Sequence, residues 1–83
     1  MTEINIHDVV ALKQEIKTPR FPSGEELLLP SGLVGTVIEI YAQGEAFEVE
    51  FAGKDGEAYA LVTVKPENLF RLHFELAELA MAS

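Results

Sequence analysis

The sequence predicts an all-β domain, and three local patterns support this prediction. Residues 46–51 alternate between apolar and acidic side chains, which is typical of a half-buried antiparallel strand. Residues 32–42 are rich in β-branched side chains, which favour pleated surfaces. Residues 53–56 contain an Asp-Gly pair, which favours the tight turn of a β-hairpin.

The chain divides into five predicted strands and one long irregular segment. The strands are expected at residues 8–13, 33–41, 46–51, 57–64 and 69–72. Residues 14–32 contain three prolines and two glycines and are expected to form one long loop. Within this loop, Leu27–Leu29 are expected to form a strand-like patch over the core. Residues 65–68 are expected to turn sharply as one 3₁₀ turn.

A helical pattern follows the last predicted strand. Leu76, Leu79 and Ala80 recur at helical spacing between Phe74 and Ala82, in a segment of good helix formers. So short a helix requires packing to be stable. We therefore expect a small five-stranded SH3-like barrel over residues 1–73, followed by a short C-terminal helix or tail over residues 74–83. The helix is expected to dock on its own barrel or on a second copy, which would make a homodimer.

Glycines and apolar residues in one segment match a known motif. Gly32, Gly35, Val37 and Ile40 fit the KOW-type pattern Gly-x-x-Gly-x-Val-x-x-Ile. From Ile6 to Leu72 the chain also resembles a family of small bacterial proteins known only as a domain of unknown function. The segments that carry this resemblance are Asp8–Leu12, Leu29–Val37, Glu48–Phe51 and Tyr59–Val64. The resemblance implies an SH3-like barrel and assigns no activity.

The alternation and the motif together predict a core. Its expected members are Val9, Ala11, Val37, Ile40, Phe47, Val49, Phe51, Val62, Leu69 and Leu72. Gly35, inside the β-branched segment, is expected to mark a bulge or a close approach of two backbones.

The charge of the chain limits its partners. Six basic and fourteen acidic residues give a formal charge of −8, and the basic residues form no cluster. Nucleic-acid binding requires clustered Lys and Arg, so it is not expected. A basic protein surface would be attracted to such a chain, although the acids can also serve solubility alone. The sequence contains no cysteine and no apolar run long enough to span a membrane, and a signal peptide is not expected, so we expect a cytoplasmic protein.

Six residues are candidates for contact with a protein partner. Glu48 and Glu50 lie on the outward side of one strand, where a solvated face is the simpler interpretation. Tyr59 and Leu61 are expected to point away from the core, and Leu27 and Leu28 lie in the predicted loop. Contiguous exposed apolar surface marks interaction sites, unless the long loop or the C-terminal helix covers it.

The two histidines leave a metal site open as an alternative. The first and last strands of an SH3-like barrel pair, so His7, Asp8, His73 and Glu75 would approach one another as possible ligands of zinc or nickel. Two unrelated surface histidines are the simpler interpretation. The pattern of Gly32 and Gly35 lacks the Lys-Ser/Thr and the helix of a phosphate loop.

The function expected from these observations is partner binding without catalysis or cofactor. One version is an acidic inhibitor or immunity-type partner of a basic protein, such as a nuclease. The alternative is an accessory subunit that stabilises a larger enzyme complex. A nucleic-acid-binding KOW-type module is disfavoured by charge, and an enzyme is disfavoured because no convergent reactive set is visible.

Overall fold

Seven strands in two sheets form the part of the chain that the computed structural model describes, residues 3–20 and 22–72. The strands are β1 (Val9–Leu12), β2 (Ile16–Pro19), β3 (Glu26–Leu29), β4 (Val34–Tyr41), β5 (Ala46–Ala52), β6 (Ala58–Val64) and β7 (Leu69–Leu72). Five of them form an antiparallel sheet in the order β6-β5-β4-β1-β7. The other two, β2 and β3, form an antiparallel hairpin. The fold is therefore all-β, as expected.

The prediction of five strands and a long loop is wrong in one segment. All five predicted strands are present in the larger sheet, but the predicted loop contains the β2–β3 hairpin. Pro19 ends β2 opposite Glu26, so proline occurs at the end of a strand in a two-stranded sheet. At such an edge a missing N–H donor breaks no central ladder. The expected patch over the core is confirmed in part, since Leu29 on β3 is buried and Leu27 packs against the core, whereas Leu28 is exposed.

The larger sheet is open in the described part of the chain. Its edge strands β6 and β7 do not pair with each other there, so no closed five-stranded barrel is found. The helical element within residues 3–20 and 22–72 is the expected 3₁₀ turn, Pro66–Asn68, which leads directly into β7. The predicted C-terminal helix, Phe74–Ala82, lies outside the described residues, as does the boundary at residue 73.

Six of the ten predicted core residues are buried. They are Ala11, Val37, Phe47, Val49, Phe51 and Leu69. The other four predicted members, Val9, Ile40, Val62 and Leu72, are only half-buried. In β1 the prediction placed the wrong face in the core cluster: Val10 and Leu12 belong to it, whereas Ala11 is buried outside the cluster and Val9 is half-buried. A shift by one residue exchanges the two faces of a strand, so an apolar run without alternation cannot identify the inner one.

Gly35 marks a close approach of two backbones, as expected. A Cβ at this position would lie 2.8 Å from the backbone oxygen of Glu50 and 2.8 Å from side-chain atoms of Val49 and Phe51. Only glycine leaves room for this contact between β4 and β5. The bulge of β4 lies elsewhere, where the register shifts between Val37 and Glu39 and Ile38 is the extra residue.

Candidate protein-binding face

Carboxylates from two neighbouring strands lie together on the outer side of the large sheet. Glu48 on β5 lies directly opposite Glu39 on β4 and opposite Thr63 on β6. Glu50, two residues further along β5, lies on the same side and opposite Leu61 of β6. We call this surface the acidic face. Its members are Glu39, Tyr41, Glu48, Glu50, Leu61 and Thr63.

The acidic face brings like charges into direct opposition. Glu39 and Glu48 are cross-strand partners, an arrangement that destabilises a sheet rather than stabilising it. Glu48 Oε1 accepts a hydrogen bond of 2.8 Å from Thr63 Oγ1, which orients this carboxylate without neutralising it. Among residues 3–20 and 22–72, the salt bridge is between Asp8 and Arg71, away from these glutamates. The negative charge of the face is therefore left for solvent or a partner.

The pKa of Tyr41 is affected by the negative charges of this surface. Its side chain is 41% exposed and extends from the end of β4, on the same side as Glu39. Partial desolvation raises the pKa of Tyr41 above its ordinary value of 10.0, and the charges of Glu48 and Glu39 raise this pKa further. A negative field disfavours the phenolate, so the neighbouring carboxylates act on Tyr41 together.

The other sequence-predicted contact residues are separated by the structure. Leu61 joins the acidic face beside Glu50. Tyr59 does not point away from the core as expected, but packs partly buried against it, with its ring 5.9 Å from the guanidinium of Arg20. The reason is a bulge, because the β5–β6 register shifts between Phe51 and Ala52 and leaves Tyr59 as the extra residue.

The two leucines of the hairpin have different environments. Leu27 is half-buried and packs against the core, whereas Leu28 on the other side of β3 is 56% exposed. Leu28 lies opposite Lys17 of β2. The hairpin therefore contributes one exposed apolar residue, and neither leucine belongs to the acidic face.

Several exposed residues of the large sheet are not evident from the sequence alone. Glu39 and Tyr41 were not recognised as members of the face, because their position depends on the bulge at Ile38. Phe70 and Val34 were also missed: they are 56% and 48% exposed and both lie opposite Ala11 of β1. Only the pairing of three strands brings these two side chains onto one surface, which we call the apolar patch.

The proposed metal ligands are only partly within the described chain. His7 lies exposed in a turn, while His73 and Glu75 lie outside the described residues. The carboxylate of Asp8 is engaged by Arg71 Nε at 2.9 Å and by the backbone N–H of Asn5 at 2.8 Å. Within residues 3–20 and 22–72, no three His, Cys, Asp or Glu side chains are grouped as a metal site. In the same ranges no helix has the length and apolar character to cross a membrane.

A protein-family model matches most of the chain. The model of a family described as Domain of unknown function (DUF4926) matches residues 6–70, which includes all seven strands except the last two residues of β7. No curated protein and no solved structure matches the chain.

Proposed function

The chain belongs to the DUF4926 family, which is defined by a domain of unknown function, and we propose that it is a non-catalytic protein-binding module. In this proposal the acidic face docks on a basic surface of another protein. The observation that supports it is the opposition of Glu39 and Glu48 on a regular sheet, with Glu50 beside them. Folding gains nothing from this opposition, whereas a basic partner would convert the repulsion into attraction.

The fold we propose for this module is SH3-like. Three features support it: β1 pairs with both β4 and β7, strands β4 to β6 follow one another as a meander, and a 3₁₀ turn precedes the last strand. In small β-domains of this kind the sheet supplies a rigid frame, and the binding chemistry belongs to the exposed face. The KOW-like residues Gly32 and Gly35 then have structural roles in a turn and in a close strand contact.

The partner we propose is a basic protein, and the module acts as its inhibitor or immunity-type partner. A chain with formal charge −8 steers a basic protein toward itself over distances near the Debye length, about 8 Å at physiological salt. The half-buried Leu61 and the exposed Tyr41 add apolar contact beside the charges. In this proposal electrostatic steering speeds association with the partner, and the apolar contacts slow its dissociation.

Charge reversal on the acidic face tests this proposal. The partner is first isolated from native lysate on immobilised protein and then purified, and association rates are measured at several salt concentrations. The variant Glu48→Lys/Glu50→Lys should slow association by about tenfold or more and increase dissociation much less. The matched control, Glu25→Lys/Glu26→Lys, makes the same change in net charge on exposed residues of the β2–β3 hairpin.

The control separates a local effect from a global one. If the acidic face docks the partner, the control variant keeps most of the wild-type association rate. Equal slowing by both variants would mean that only the net charge matters, and the proposed face would be wrong. An association rate that neither salt nor either variant changes would remove electrostatics from the interaction altogether.

A second candidate function is supported by the apolar patch. Phe70 and Val34 expose large side chains on either side of Ala11, and Lys13 Nζ lies 4.6 Å from the ring centroid of Phe70. Exposed apolar surface of this kind is typical of permanent interfaces. An accessory subunit that stabilises a larger enzyme complex would use it. Phe70→Ser should then release the partner, while Leu28→Ser, equally exposed on the hairpin, should retain it.

The remaining expectations concern nucleic acid, location and self-association. We propose that the chain acts in the cytoplasm and binds no nucleic acid, because fourteen acidic residues would repel phosphates. Micromolar retardation of any RNA or duplex in a gel shift at about 150 mM salt would contradict this. A homodimer through Phe74–Ala82 stays a prediction, which light scattering of the chain with and without residues 74–83 would test.

A further inference from the structure

A cavity of about 560 Å³ is lined by residues of β4, β5 and β7, of the segment before β1 and of the turns that follow β4 and precede β7. Its floor is formed by Phe47 and Leu69, which are only 3% and 5% exposed. Ile4, Ile40 and Pro66 add apolar walls from three separate segments. Such a volume accommodates one large apolar side chain with its adjoining backbone, and mainly apolar walls with a few polar groups are typical of binding pockets.

One carboxylate holds two walls of this cavity in place. Asp8 Oδ2 accepts the backbone N–H of Asn5 at 2.8 Å, and the Asp8 N–H donates to the Asn5 carbonyl at 3.1 Å. Asp8 Oδ2 also accepts a hydrogen bond of 2.9 Å from Arg71 Nε on β7. His7 N–H also donates to the Val37 carbonyl at 2.7 Å. The segment before β1 is thus attached to both β4 and β7, so the cavity is preformed in the described chain.

The polar groups at the rim suit a peptide backbone. The contact of Arg71 with Asp8 uses Nε, and within residues 3–20 and 22–72 neither Nη nitrogen donates to another side chain. Asn5 and Gln43, which carry side-chain amides, also line the cavity. A guanidinium edge and two carboxamides supply both donors and acceptors, which is what an extended peptide needs on either side of an inserted side chain.

The charge at the rim selects among possible peptides. Glu3 lines the cavity with a negative charge, and the positive charge of the lining Arg71 is already compensated by its ion pair with Asp8, which lies outside the lining. A ligand with its own carboxylate would meet a net negative rim and a chain of formal charge −8. A neutral or basic ligand is therefore favoured over an acidic one.

From these observations we infer that the cavity is a binding site for one large apolar side chain of an extended, non-acidic peptide segment. The side chain lies on Phe47 and Leu69, and Arg71 donates to a backbone carbonyl beside it. Lysine or arginine next to the apolar residue strengthens binding through Glu3. This site is separate from the acidic face and does not depend on the function proposed for that face.

Titration of the full chain with small probes, followed by ¹⁵N–¹H NMR, tests the inference. N-acetylphenylalanine amide should produce saturable shifts at the Gly44 and Leu69 amides and at Arg71 Nε–H, with a millimolar dissociation constant expected for a ligand of this size. N-acetylphenylalanine, which carries a free carboxylate, should bind about threefold more weakly. N-acetylphenylalanyl-lysine amide should bind about threefold more tightly, and Glu3→Gln or high salt should remove this gain.

Two variants and a matched control locate the site. Ile40→Phe adds an aromatic ring to the wall and should abolish saturation. Arg71→Lys keeps the charge but loses the planar fork, and should weaken all three probes about fivefold. Phe70→Leu alters the neighbouring residue of β7, which is 56% exposed and does not line the cavity, and should leave binding unchanged. If Ile40→Phe does not fold, Arg71→Lys against Phe70→Leu still decides the question.

Three results would overturn the inference. The first is the absence of saturable shifts at Gly44 and Leu69 with every probe. The second is tighter binding of the carboxylate probe than of the neutral amide. The third is an equal loss of binding in Phe70→Leu and Arg71→Lys. Probe binding should be unchanged by Glu48→Lys/Glu50→Lys. The proposals for this cavity and for the acidic face can therefore be refuted independently.

Discussion

Replacement of Gly35 by alanine adds only one methyl group, but we expect it to destabilise the fold strongly. Gly35 is buried on β4 opposite Val10, whose side chain is fully buried. The added Cβ would lie 2.8 Å from the Glu50 carbonyl oxygen and equally close to side-chain atoms of Val49 and Phe51. Ordinary contacts of a methyl group are more than half an ångström longer. Something must therefore move.

The magnitude follows from what is able to move. Overpacking a filled core usually costs about 1–3 kcal/mol, because side chains shift to relieve it. Here one of the three atoms belongs to the β5 backbone, and its displacement would disturb the β4–β5 ladder. We therefore expect Gly35→Ala to lower the free energy of unfolding by about 3 kcal/mol, the upper end of this range. A chain of 83 residues has a free energy of unfolding of only about 4–12 kcal/mol.

Urea denaturation followed by circular dichroism measures this loss, and Gly53→Ala is the matched control. A Cβ at Gly53 meets only Asp55 Oδ1, at 3.3 Å, so the same methyl group should change the free energy of unfolding by less than about 1 kcal/mol. A Gly35→Ala variant within about 0.5 kcal/mol of the wild type would refute the close approach of β4 and β5. Equal losses in both variants would show that the close contact at Gly35 is not their cause.

Three further predictions concern the core, the ion pair and the field of the acidic face. Phe51→Ala should cost about 3–5 kcal/mol in urea denaturation, because the ring is 1% exposed. Asp8→Asn should cost about 1 kcal/mol and shift the NMR signal of Arg71 Nε–H, since it removes the charge from a partly buried pair. Glu48→Gln should lower the pKa of Tyr41 toward 10.0 in an ultraviolet titration. Because the folded-state pKa of Tyr41 is raised, its contribution to stability is present below pH 10.0 and is lost as pH rises through the folded value.

The sequence predicts this fold well where side chains alternate and poorly where they do not. In β5 the strict alternation of Phe47, Val49 and Phe51 with glutamates identified the inner face correctly. In β1, four consecutive apolar residues fit either face, and the choice depends on pairing with β4 and β7. The β2–β3 hairpin was not predicted because its segment contains prolines. Proline excludes a central strand but is tolerated at the edge of a sheet.

The candidate site was predictable only in part, through Glu48 and Glu50 on β5 and Leu61 on β6. Glu48 and Glu50 were identified because residues two apart in a strand share a side. Glu39 belongs beside them only because the β4 bulge at Ile38 shifts the register. A bulge on β6 likewise turned Tyr59 toward the core. Such shifts arise from tertiary pairing, so a single sequence does not reveal which side chains they bring together.

Glu39→Lys separates the stability of the sheet from the binding that we propose for its outer side. The inner side supplies the core, with Val37 and Val49 fully buried, so changes outside it need not disturb packing. A lysine opposite Glu48 replaces a repulsive cross-strand pair by an attractive one, which should raise the free energy of unfolding by about 0.2–1 kcal/mol. The same change should slow association with a basic partner, because it removes negative charge from the acidic face. Stability and binding then change in opposite directions, which a purely structural role of Glu39 does not produce. If the variant is both less stable and weaker in binding, Glu39 acts through the fold, and the acidic face loses one of its three carboxylates.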